Sequence, residues 1–110
     1  MATNYKYSQI QGTAALGTYA TLYTTAGATQ AVISTIVICN QASVSATYRI
    51  GLDTTAGTPG ASEWLVYDGV VAGNDSICLT LGVCLDASKF IRVSSSTATV
   101  SFSAFVSEIT

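Results

Sequence analysis

Apolar and polar positions alternate along most of this chain, and the densest apolar run lies at residues 31–40, AVISTIVICN. Val, Ile and Thr lose side-chain freedom in a helix and pack well on a pleated surface, so this run predicts a strand. Strand geometry sets Val32, Ser34, Ile36 and Ile38 on one face, and Ala31, Ile33, Thr35, Val37 and Cys39 on the other. Both faces are largely apolar. A strand beside water would alternate cleanly, so this one is expected to be covered twice, by its own core and by a second body. Ile33 and Val37 are the expected outward contacts.

The remaining segments have the same period. Residues 4–11 (NYKYSQIQ) set Tyr5, Tyr7 and Gln9 opposite Lys6, Ser8 and Ile10; residues 19–24 (YATLYT) form a short strand, and 25–29 (TAGAT) a turn. In residues 47–53, Tyr48, Ile50 and Leu52 oppose Arg49 and Gly51. Residues 54–62 (TTAGTPGAS) hold the single proline, Pro59, and predict an exposed hairpin tip. Strands are then expected at 63–68 (EWLVYD), 76–81 (SICLTL), 89–94 (KFIRVS) and 99–109, with Asp68-Gly69 and 72–75 (AGND) as turns. Residues 82–88 read as a connection in which Val83 and Leu85 extend the preceding strand.

Seven or eight short strands at this spacing, with no helical period, predict an all-β chain folded as a single antiparallel β-sandwich, jelly-roll or immunoglobulin-like. Residues 1–110 are expected to form one domain. Its expected core is Ile36, Ile38, Ile50, Leu52, Leu79, Ile91, Val93, Val100 and Phe102. Residues 1–11 are expected as an extended N-terminal arm or an edge strand. Ordering a backbone residue costs about 1–2 kcal/mol, and two or three buried side chains return about 1.5–3 kcal/mol each. An arm carrying only Tyr5, Tyr7 and Ile10 therefore needs a neighbour to order it.

Composition sharpens this picture. Hydrophobic residues make up 49 % of the chain and charged residues 9 %, against roughly 25 % charged in an average soluble domain. So uncharged a surface favours association. The four basic residues, Lys6, Arg49, Lys89 and Arg92, stand singly, so the phosphate-neutralising stripe of a nucleic-acid binder is missing. No apolar run is long enough for a membrane helix, which needs about 20 residues. The opening MATNYKYSQ has neither the charged nor the apolar part of a signal peptide, which predicts synthesis and assembly in a host cytoplasm.

Catalytic chemistry is sparse. With no histidine, Ser-His and Cys-His nucleophile pairs are unavailable. Ser88 and Lys89 are adjacent and point to opposite faces of a strand. The six acids, Asp53, Glu63, Asp68, Asp75, Asp86 and Glu108, fall at strand ends and turns, where backbone chemistry already favours aspartate. Gly57 and Gly60 follow no phosphate-loop pattern. No enzyme, cofactor or metal is predicted. The three cysteines, Cys39, Cys78 and Cys84, show no metal spacing, and Cys39 is expected buried and unpaired. Asp68, Asn74 and Asp75 offer oxygens for calcium but suit turns equally. Trp64 with Tyr67, near the Pro59 loop, presents an aromatic pair for a partner surface or a sugar ring.

The segments TLYTTAGATQAVISTIVICN, TYRIGL, GNDSICLTLGVCLDASKFIRV and STATVSFSAFVSEIT resemble small virion proteins of tailed bacteriophages, including phages of cyanobacteria; the similarity runs from about residue 5 to residue 110. The resemblance implies a structural protein located in the virion. Two functions follow from it. One is a capsid decoration (cement) protein, a trimer that clamps neighbouring subunits of the major capsid protein. The other is a tail, baseplate or fibre component with a host-surface or glycan-binding sandwich. Tyr5, Tyr7, Ile10, Ile33, Val37 and Trp64 are the expected interface residues.

Overall fold

The computed structural model describes residues 3–55 and 57–110. Among them lie nine strands and no helix: β1 (Thr3–Gln11), β2 (Ala20–Thr24), β3 (Gln30–Asn40), β4 (Ala46–Asp53), β5 (Trp64–Val71), β6 (Ser76–Leu79), β7 (Val83–Leu85), β8 (Phe90–Ser95) and β9 (Val100–Ile109). They form two antiparallel sheets packed as a sandwich. Sheet A runs β1-β9-β3-β6, with β7 also on β3; sheet B runs β2-β8-β4-β5. β6 pairs with residues 36–39 of β3 and β7 with 31–33, so the two act as one interrupted strand. The pairs β1–β9, β2–β8, β3–β6/β7 and β4–β5 nest like the arms of one long hairpin, and successive pairs fall in alternate sheets. That wrapping makes the sandwich a jelly roll.

Period-two alternation supplies the interior. Ile36, Ile38, Ile50, Ile91, Val93, Val100 and Phe102 are fully buried between the sheets, and Leu52 and Leu79 pack against them half-buried. Tyr48 of sheet B meets Phe102 of sheet A edge-on, with ring centroids 6.3 Å apart.

The central strand departs from simple alternation. The register of β3 against β9 shifts between Ile33 and Thr35, opposite Val106 and Phe105. A bulge adds one residue on one strand and inverts the side on which later residues fall. Ala31 and Ile33 therefore share the inner face with Ile36 and Ile38, and Ile33 is only 1 % exposed. Ile33 is thus a core residue and not an outward contact. Val32, expected beside Ile36 and Ile38, faces out instead.

Thr3–Gln11 is a strand along its whole length and pairs with β9 from Thr3↔Ile109 to Gln11↔Ser101 without a shift. Of the two alternatives for residues 1–11, the described part is an edge strand; Met1 and Ala2 lie outside the described residues. Ile10 sits opposite Phe102 and packs half-buried on the core. Lys6 bridges Glu108 at 2.9 Å, and the Ser8 hydroxyl donates to the Leu22 carbonyl. The ladder and these two contacts supply the ordering that three apolar side chains alone would not.

Candidate functional site

The two outer faces of the sandwich differ in kind. On sheet B, Arg49 and Gly51 of β4 face outward with Arg92 of β8, and two connections lie over them. Gly51 has no side chain, and Pro59 takes the space: a Cβ there would fall 2.7 Å from the Pro59 ring. Asp53 accepts the N–H groups of Thr55 and Gly57, at 3.3 and 3.0 Å, and Arg92 Nε donates to the Gly57 carbonyl at 3.0 Å. Pro59 is buried. Pro59 therefore anchors the loop on sheet B, while Thr54, Thr55, Thr58, Gly60, Ala61 and Ser62 around it are exposed, as expected of this segment. Arg92 also donates to Tyr19 O at 3.1 Å and to the Thr21 hydroxyl, which ties down the β1–β2 connection.

Beside this loop stands the aromatic cluster. The Tyr19 and Trp64 rings lie 5.5 Å apart, and Trp64 and Tyr67 5.1 Å apart. The Arg49 guanidinium lies 4.1 Å from the Tyr67 ring centre, donates to Asp68 at 2.7 Å and to Tyr19 Oη at 3.1 Å. These partners, Asp68 first, raise the Arg49 pKa above its ordinary value. The cation covers one face of the Tyr67 ring, and Tyr67 stays exposed beside Trp64. Asp68 is engaged by Arg49, and Asp75 Oδ1 accepts the N–H of Ser76 at 2.8 Å, so both carboxylates make local contacts. Among the described residues no three His, Cys, Asp or Glu side chains come together to hold a metal.

The outer face of sheet A is built from every second residue of four adjacent strands. β1 supplies Thr3, Tyr5, Tyr7, Gln9 and Gln11; β9 supplies Ser101, Ser103, Phe105, Ser107 and Ile109. On β3 the outward set is Val32, then Val37 and Cys39 beyond the bulge, with Cys84 and Cys78 alongside on β7 and β6. Tyr5 is 83 % exposed, Tyr7 71 % and Phe105 44 %. None of these outward residues is charged: the two charges of β1 and β9, Lys6 and Glu108, both turn the other way and pair. A shallow hollow of about 480 Å³ opens at one end, lined by Thr3, Val32, Cys84, Ser107 and Ile109 among others. At about 4.8 Å between strands and about 3.3 Å per residue, the face measures roughly 500 Å² in projection. One side of an ordinary protein–protein interface buries about 800 Å² of accessible surface, so the face has the right scale.

The expected interface residues thus separate. Tyr5, Tyr7 and Val37 share the outer face of sheet A, Trp64 lies on sheet B, and Ile10 and Ile33 point into the core. Val32, Phe105 and Ile109 belong to the face and were not anticipated; the alternation of β9 from Ser101 carried the signal for Phe105 and Ile109, whereas Val32 faces out only because of the bulge in β3. Cys39 is half-buried, not buried, because it lies with Val37 on the outer face, between Ser101 and Ser76, and that face is open; all three cysteines are free thiols.

Glu108 is a buried carboxylate, 6 % exposed. Tyr23 Oη donates to it and Lys6 bridges it, and both hold its carboxyl below the usual range against the opposing effect of burial. Burial and the same carboxylate push the Tyr23 hydroxyl upward.

No family model and no curated protein matches the sequence. Solved structures do match the fold. A chain of the T13 IBDV viral particle aligns with a TM-score of 0.56 at 10 % identity, over 96 % of this chain and 30 % of that one. A chain of infectious bursal disease virus Gx strain aligns with a TM-score of 0.51 at 8 % identity, over 98 % and 37 %. This chain spans about a third of the length of each. At such identities the likeness is one of fold.

Proposed function

We propose that this protein is a structural component of a virion, a capsid decoration protein that packs the outer face of sheet A against neighbouring subunits. The observation that carries the reading is that face: four strands wide, without a charge, and left uncovered by the chain's own loops. An uncharged surface with exposed aromatic side chains such as Tyr5, Tyr7 and Phe105 favours association. Jelly rolls recur in viral capsid and lectin domains, and chains of this fold occur in the infectious bursal disease virus particle. The resemblance to tailed-phage virion proteins points to the same virion role and fits a shell or a tail position; on our reading the setting is a phage shell, with the major capsid protein as partner.

Copy number tests the assignment. Quantitative mass spectrometry of purified virions is expected to find hundreds of copies per particle. A few to tens of copies would overturn the shell position and favour a tail, baseplate or fibre component. One observation supports that second reading: Tyr67 stays 57 % exposed beside Trp64, an aromatic corner of the type that touches glycans. Abolished cell or glycan attachment in Trp64→Ala, with unchanged copy number, would establish it.

A further inference from the structure

The sandwich has four sheet edges, and three are blunted. β2 has five residues and a register shift at Thr21/Tyr23. β5 shifts twice against β4 and carries Asp68 at φ 57°. The β6/β7 edge is broken by residues 80–82, with Gly82 at φ +64°. Short strands, bulges and breaks are the devices by which proteins prevent edge-to-edge pairing. The fourth edge, β1, has neither shortness nor bulge nor break: nine residues, an unshifted register and no proline, and its one charge, the inward-pointing Lys6, is paired with Glu108.

The geometry also shows which β1 groups are free. Gly12 N–H donates to the carbonyl of Val100 at 2.6 Å, continuing the β1–β9 register by one step. In an antiparallel ladder, hydrogen-bonded pairs alternate with non-bonded ones. The even residues Asn4, Lys6, Ser8 and Ile10 therefore bond β9. Thr3, Tyr5, Tyr7, Gln9 and Gln11 turn their N–H and C=O groups to the open edge, and the same residues display side chains on the uncharged face.

We propose that β1 pairs with β1 of a second copy, antiparallel about a two-fold axis at Tyr7. This register opposes all nine residues to nine: Tyr7 to Tyr7, Tyr5 to Gln9, Thr3 to Gln11. It forms about ten interchain hydrogen bonds, two for each opposed odd pair. It also sets Lys6 opposite Ser8. The register centred on Lys6 would set two lysines directly opposite, which is destabilising. The two outer faces of sheet A then join into one continuous uncharged surface. Such a contact is isologous and closes with two copies, so it predicts a dimer where the resemblance implied a trimer. The inference rests on the reading that the chain works by self-association. It is read on purified protein, whereas the virion assignment is read on particles, so each can fail alone.

Sedimentation velocity of the full chain over a concentration series is expected to show a monomer–dimer equilibrium. Tyr7→Pro removes an N–H that points to the open edge, where proline is tolerated. It is expected to weaken dimerisation at least about tenfold while the urea midpoint stays near that of the parent. Ser8→Pro, which removes a ladder N–H, is expected to destabilise the fold. In a Cys78→Ser, Cys84→Ser background, mild oxidation is expected to cross-link Tyr7→Cys. Thr3→Cys is expected to stay uncross-linked, because its symmetry mate lies about 26 Å away along the strand. Should Tyr7→Pro unfold, the cross-linking pair decides by itself. A chain monomeric at all concentrations, a trimer, a dimer untouched by Tyr7→Pro in a folded protein, or equal cross-linking of both cysteine variants would each overturn the proposal.

Discussion

The two outer faces of this sandwich start from the same scarcity of charge and end differently. Sheet B gathers two of the four basic residues, Arg49 and Arg92, and uses their donors to hold the chain's own connections over itself. Sheet A keeps its charges off the outer face by pairing Lys6 with Glu108 on the inner side. One face is covered by the molecule, and the other is left for something else to cover. A half-buried guanidinium gains from carbonyl and carboxylate partners, and loops and strand ends provide them; a plain surface of Ser, Gln, Tyr and Val asks for none. The placement of a few polar side chains, more than total hydrophobicity, distinguishes a closed face from an open one.

Substitutions can break this contrast, beginning with the interior both faces share. Phe102 is fully buried and meets Tyr48 of the opposite sheet, so Phe102→Ala is expected to lower stability by about 3–5 kcal/mol. Urea unfolding measures the loss, and a change below about 1 kcal/mol would show that the sheets do not depend on this contact.

Glu108 tests how sheet A keeps its outer face neutral. Its carboxyl is held below the ordinary value by Tyr23 and then Lys6. The folded state therefore binds the proton less readily than the unfolded chain. The contribution is complete above about pH 5 and is lost as pH falls through the depressed folded value. Glu108→Gln is expected to cost about 1.5–3 kcal/mol at pH 7 and to flatten the loss of urea stability between pH 5 and pH 3. An unchanged acid slope would exclude Glu108 as its source.

Gly51→Ala tests the cover of sheet B. The added methyl meets Pro59 at 2.7 Å and the Trp64 ring at 3.1 Å. Overpacking of this kind costs about 1–3 kcal/mol, and displacement of the loop is expected to shift Trp64 fluorescence. A silent spectrum would mean that the loop accommodates the methyl in place.

The smallest effect on stability is expected from Phe105→Lys, on the open face of sheet A. At a 44 % exposed position the monomer is expected to change by less than about 0.5 kcal/mol. Incorporation into particles is expected to fall sharply, because a charge now stands in an interface that has none. Normal incorporation would move the contact surface elsewhere.

Alternation identified most of the strands, their all-β class and seven fully buried core residues, because a period of two records which side chains share a face; it did not separate β7, and the turn expected at Asp68-Gly69 lies inside β5. The low charge predicted association for a similarly direct reason: composition limits what any surface of this chain is able to display. The sequence held no sign of the β3 bulge. Ser34 and Thr35 resemble any strand pair, and the extra residue is fixed only by β9 lying opposite, so Ile33 moved from the outside to the core. Nor did it show that Pro59 would lie on Gly51, a contact between segments whose fit depends on the missing side chain. Pairing of β1 with β9 was likewise decided across the length of the chain, with Thr3 meeting Ile109. Alternation gives each strand two faces. Which face is buried, which is covered by a loop and which stays open depends on the neighbours that tertiary structure brings from far along the chain.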